Sequence, residues 1–157
     1  MAQFIFSLQA VLDHRRRIEE ETQKAVAAVQ IRLDECQGAI ARLEECQRRH
    51  SAEMYQRLAK GMPERERALY SNYLEAVGLE LERLAVLEAR IQAELEVARK
   101  RLVKAMRDRE LIEEIRKAEY QEYVRAEELE ERKLYDDLAQ RAWRLGQAEN
   151  LAARMED

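Results

Sequence analysis

Only one short stretch of this chain carries strong helix-breaking signals: Lys60-Gly61-Met62-Pro63-Glu64-Arg65-Glu66. Pro63 is the sole proline, and Gly61 is one of four glycines in 157 residues. A globular domain of this length would place about 19 Gly and Pro in its turns. The chain therefore lacks the turns that fold a sequence around a three-dimensional core, and with them the concave pocket most enzymes need. Charged residues make up 38% and apolar residues 46%, the composition of long helices or a coiled coil. The apolar share and the mixed signs of charge argue against disorder.

The breaker stretch reads as a join between two helices. Gly61 suits the position just past a helix C-terminus, and Lys60 suits the negative end of the helix dipole. Pro63 fits the first position of a new helix, with Glu64 and Glu66 at its positive end. The expected elements are a first helix over about 8–59, a turn at 60–63 and a second helix over about 64–150. Together they make one coiled-coil domain spanning 1–157.

Apolar spacing says which faces meet. Before the turn, Val26, Leu33, Ile40, Gln47 and Met54 alternate with Val29, Cys36, Leu43 and His50 at intervals of three and four. After it, Val77, Leu84, Ile91, Ala98, Ala105 and Ile112 alternate with Leu74, Leu81, Glu88, Leu95 and Leu102. These are heptad seams. Two seams joined by a short turn form an all-α, long antiparallel two-helix coiled coil, a helical hairpin with a longer second helix. Position 62−k then faces roughly 62+k, which sets His50 near Val77 rather than Glu88. Gln47, His50 and Glu88 interrupt the seams, as polar side chains reaching out of a loose seam or as fixers of register. Gly38 and Gly78 should each cost about 1 kcal/mol relative to Ala.

Catalytic chemistry finds no foothold. No Gly-rich phosphate loop, nucleophile elbow or HExxH motif is present, and surface carboxylates with nothing to desolvate them make poor acid–base catalysts. Cys36 and Cys46 would lie about 15 Å apart on one helix, too far for a disulfide, and lack zinc spacing. They read as small apolar residues on or near the packing stripe. No cofactor or metal is expected. The net charge of −4 gives no general reason to expect nucleic-acid binding, and no aromatic platform accompanies Arg15-Arg16-Arg17. No apolar run reaches membrane-spanning length, and the N-terminal stretch lacks the basic region of a signal peptide. The expectation is a cytoplasmic interaction protein.

The helices are unequal, roughly 75 Å against roughly 125 Å, in a hairpin about 100 Å or more long. The mirror rule pairs residue 8 with about residue 116, so everything later on the second helix lacks an intrachain partner. Local charge also changes there: residues 99–109 carry six bases and one acid, and residues 119–137 carry eight acids and three bases. Each reads as a solvated face or as a charge-marked docking end. The expected protein-binding residues are Phe4, Phe6, Leu8 and Leu12 on one side of the tip. On the other side stand Leu129, Leu138 and Trp143, with Leu145 beside them.

Both ends resemble the FliJ family, small proteins of the bacterial flagellar export apparatus. The opening Phe4-x-Phe6-x-Leu8-Gln9-x-x-Leu12-Asp13-x-Arg15, followed by Glu19-Glu20, is similar to that family's start. Glu131-x-Lys133-x-x-Asp136-Asp137-x-Ala139 resembles its acidic closing segment. The resemblance implies a coiled coil shaped like the central stalk of a rotary ATPase. It also implies three partners: the hexameric flagellar export ATPase, the cytoplasmic domain of the export gate protein, and export chaperones. Any tie to the membrane would run through protein contacts only. Family members carry an exposed aromatic–aliphatic stripe shortly after the turn, matched here by Tyr73 and Val77. Glu80 and Leu84 depart from it, and Val77 and Leu84 fall on the seam, so only Tyr73 carries over. Three rivals stay open: the equivalent stalk of a virulence type III secretion system, a coiled-coil escort chaperone, and a structural dimer.

Overall fold

A computed structural model describes residues 3–155, with side chains from 3 to 148. Two helices, α1 (Gln9–Ala59) and α2 (Glu64–Met155), hold nearly all of these residues, and no strand occurs among them. No described helix is long and apolar enough to cross a membrane. The chain is thus all-α, with the second helix the longer. The turn forms where its residues demand it. Gly61 has φ +88°, which L side chains rarely adopt, and its N–H donates to the Leu58 carbonyl at 3.1 Å. Lys60 N–H donates to the Arg57 carbonyl, so the last turn of α1 tightens as it ends. The Pro63 carbonyl accepts from Glu66 and Arg67 at 3.0 and 3.1 Å. Pro63 therefore caps α2 from just outside the helix instead of opening it, one position from expectation.

The contacts divide the chain into two units: His14–Asp108, and residues 3–13 with 109–155. In the first, α1 and α2 run antiparallel around a cluster of Leu33, Cys36, Ile91 and Leu95, with Val26, Val29, Ile40 and Leu84 packed against it. Val77 and Ala105 are buried as well. All the predicted seam positions are buried or half-buried, the polar Gln47, His50 and Glu88 included. Cross-helix pairs follow the reflection about Met62 to within a few residues: Arg57–Glu66, Gln37–Glu88 at 2.8 Å, Arg32–Glu94 at 2.7 Å and Arg15–Asp108 at 3.1 Å. Glu88 also accepts from Gln92 at 3.3 Å, which explains how a carboxylate sits on the seam. The Cys36 thiol donates to the Leu84 carbonyl at 3.7 Å.

Magnitude decides what holds this unit. Its ion pairs are substantially exposed, and such pairs contribute about 0–1 kcal/mol each. Fully burying one Leu or Ile contributes about 1.5–3 kcal/mol. The apolar seam carries the pairing, and the ion pairs dress its edges.

Replacing Leu95 by Ala should cost about 2–5 kcal/mol in urea melts, with smaller losses at half-buried Leu43 and Leu81. Arg48, exposed and paired with Glu45 on its own helix, should tolerate Ala within about 0.5 kcal/mol. Equal losses at Leu95 and Arg48 would mean that the wrong face has been identified. A Cβ at Gly78 meets nothing within 4 Å, so Gly78→Ala should raise stability by about 0.5–1 kcal/mol.

Candidate docking surfaces

Near the turn, the first unit carries an aromatic face built on neighbouring turns of both helices. Tyr73 is 40% exposed. Its Oη lies 3.5 Å from Cys46 Sγ, and its ring lies 4.7 Å from the His50 ring. His50 Nδ1 sits 2.9 Å from the Cys46 carbonyl; that oxygen only accepts, so Nδ1 carries the proton and donates. The ring of His50 therefore faces Tyr73 across the seam. The hydrogen bond with Cys46 holds the Tyr73 phenol above its ordinary pKa, and partial burial adds to this. Arg57 donates to the Tyr70 hydroxyl at 3.5 Å, and Leu69 stands exposed beside Tyr70. Val77 is buried, and Glu80 and Leu84 are half-buried. Of the stripe matched in sequence, Tyr73 is presented at the surface and Val77 is withdrawn into the core.

In the second unit, the N-terminal strip takes a different role from the one its sequence suggested. Leu12 is fully buried and Phe6 nearly so, while Phe4 and Leu8 are half-buried. The Phe4 ring meets Tyr120 edge-on, with centroids 5.3 Å apart, and Tyr123 at 5.6 Å. Tyr123 donates to Glu127 at 3.1 Å. Phe6 and Leu12 are thus core residues, with no surface left for a partner. The segment ahead of α1 is not helical; it enters through a turn closed by Gln9 N–H to the Phe6 carbonyl. A helical reading of its side chains could not place them. Ile5 alone projects, 83% exposed.

The same contacts move the start of the unpartnered stretch. Phe4 covers Tyr120 and Tyr123, so intrachain partners extend past residue 117. From Glu128 to Leu145 every residue is exposed. Leu129, Leu138, Trp143 and Leu145 are there, as expected, each more than half exposed. Leu134 and Tyr135, which are not among the expected binding residues, are equally exposed. The spacing of Leu134, Leu138 and Leu145 was the available signal. Among the described residues, no group of three or more His, Cys, Asp or Glu could hold a metal ion. What these surfaces offer is apolar and aromatic area with a charged surround, which suits protein recognition.

Tyr123 gives a handle on the second unit. Partial burial, then the hydrogen bond to Glu127, raises its phenol pKa. A raised folded pKa contributes stability that is present below the unfolded value, about 10 for a phenol, and lost as pH rises through the folded value. Thermal melts should therefore lose stability above about pH 10, and Tyr123→Phe should lose less. Identical alkaline profiles for the two proteins would remove Tyr123 from that account.

No curated protein and no solved structure matches this chain. One family model does, that of the Flagellar FliJ protein, over residues 4–148. That span includes both helices up to the last described side chain, the N-terminal strip and the exposed stretch of α2. The chain belongs to the flagellar FliJ protein family.

Proposed function

We propose that this flagellar export protein is a non-enzymatic coupling factor, acting as a central stalk for the hexameric export ATPase. The observation that carries the reading is the run from Glu128 to Leu145, where α2 continues as a helix with every residue exposed. An apolar helix face rimmed by charge needs a partner to cover it. A slender helical element fits the opening of a ring and can bias its nucleotide sites by packing against their walls, with no chemistry of its own. The aromatic face at Tyr73 is the proposed contact for the cytoplasmic domain of the export gate protein. Export chaperones complete the set of partners, and the protein works in the cytoplasm, held at the membrane by protein contacts only.

The family match favours this reading over a virulence-system stalk. An escort chaperone gains little from the N-terminal end, where Phe6 is buried and Phe4 is engaged by two tyrosines.

Deleting residues 128–157 should abolish binding to the homologous hexameric ATPase and its stimulation, while the remaining helices melt cooperatively. The deletion spares Phe4, Tyr120 and Tyr123, so the core of the second unit stays intact. Full stimulation by the truncated chain would rule out this stretch as the coupling element and leave the Tyr73 face as its successor.

A further inference from the structure

The exposed stretch of α2 has an internal order that the stalk reading does not use. Glu131, Leu134, Leu138, Arg141 and Leu145 follow one another at alternating intervals of three and four. That is a second heptad seam, and all five residues are exposed. Its frame differs from that of the intrachain seam: continuing the series of Ile112 and Leu102 by sevens leads to Glu119 and Arg109, not to Leu134 or Leu138. This seam is also symmetric about Asp136. Leu134 and Leu138 are equidistant from it, and so are Glu131 and Arg141. Among the described residues neither Glu131 nor Arg141 has an ion-pair partner, whereas nearby Glu130 is taken by Lys133 at 2.9 Å.

From this symmetry we infer that the stretch is a self-complementary interface: two copies of the chain pair it antiparallel, about a two-fold axis near Asp136. A two-fold interface requires that residue i meet residue j while j meets i. Here Leu134 of each copy meets Leu138 of the other, and Glu131 of each meets Arg141 of the other. The wider charge follows the same rule. The half from Glu127 to Asp136 holds five acids and two bases, and the half from Asp137 to Ala148 holds one acid and two bases. An antiparallel pair sets the acidic half against the basic one. A parallel pair would set Glu131 against Glu131 and Arg141 against Arg141, at seam positions where like charges repel. The charges thus fix orientation as well as partner. The interface is short, because Leu145 falls opposite Glu127, which already accepts from Tyr123. It is a weak, reversible dimer.

Sedimentation equilibrium of the full chain alone, at loading concentrations up to about 1 mM, tests this without any ATPase. The wild-type mass should rise from monomer to dimer. Glu131→Arg and Arg141→Glu should each weaken association on the order of tenfold, since each places two like-charged pairs across the axis. The double variant E131R/R141E restores both pairs with their signs exchanged and should dimerise like the wild type. All of these positions are exposed and outside the core, and far-UV circular dichroism should confirm unchanged helicity. A monomer at every concentration would overturn the inference and leave the face to a different protein. A double variant as weak as the single ones, or a dimer indifferent to all three, would overturn the antiparallel pairing.

Discussion

The antiparallel seam between α1 and α2 is the constraint on which everything else rests. Two helices can bury only a stripe of each other, and this one is thin: Leu33, Cys36, Ile91 and Leu95 form its one cluster of buried residues. With so little buried area, register matters more than in a globular core. A slip by one heptad keeps apolar residues facing apolar residues, so periodicity alone does not choose among slipped pairings. The turn makes the choice. Gly61, in the left-handed region, and Pro63, capping α2, fix where the reflection is centred. The cross-helix pairs from Arg57–Glu66 to Arg15–Asp108 then fall where that centre puts them. Gln37 meeting Glu88 shows the same register at a polar position.

The exposed apolar face follows from the unequal lengths of the two helices. A hairpin whose arms matched would cover its own apolar face to the end. Here α1 begins only at Gln9, and the segment ahead of it contributes Phe4 and Phe6 in place of further helix turns, beside Leu12 in the first turn of the helix. Those residues close a small core with α2, and the pairing stops there. What is left is a stretch of α2 whose leucines and tryptophan stand exposed among the described residues. Retaining that composition where the chain gains no burial from it argues for an external partner.

The parts legible in sequence were those encoded locally. Breakers marked the turn, spacing marked the seam, and arithmetic about Met62 gave the pairing as far as Arg15 and Asp108, whereas Phe4 against Tyr120 lies beyond the point near residue 116 where partners are expected to end. The burial of Phe6 was not legible, because Phe6 lies on a non-helical entry segment whose side chains follow no period. Tyr120 and Tyr123, one turn apart and near the mirror position of Phe4, were the available clue. The Tyr73 face was half legible. Its exposure could be anticipated, but its contacts with Cys46 and His50 required two helices in register. Leu134 was hidden for another reason: it belongs, with Leu138, to a seam whose frame differs from that of the intrachain one.

That change of frame bears on how one surface could serve two occupants. An all-leucine stripe would accept almost any apolar helix, and it would do so indiscriminately. Placing Glu131 and Arg141 on the stripe raises the desolvation cost for any partner that lacks a countercharge at both places. A second copy supplies both automatically. The wall of the proposed ATPase ring would have to be shaped to supply them, so the same two residues would narrow the choice of ring. The proposed self-pairing would then act as a competing ligand: whatever free energy it contributes would be subtracted from the apparent affinity for the proposed ring. A weak dimer is the arrangement in which this subtraction stays small while the apolar face is still covered when no ring is at hand.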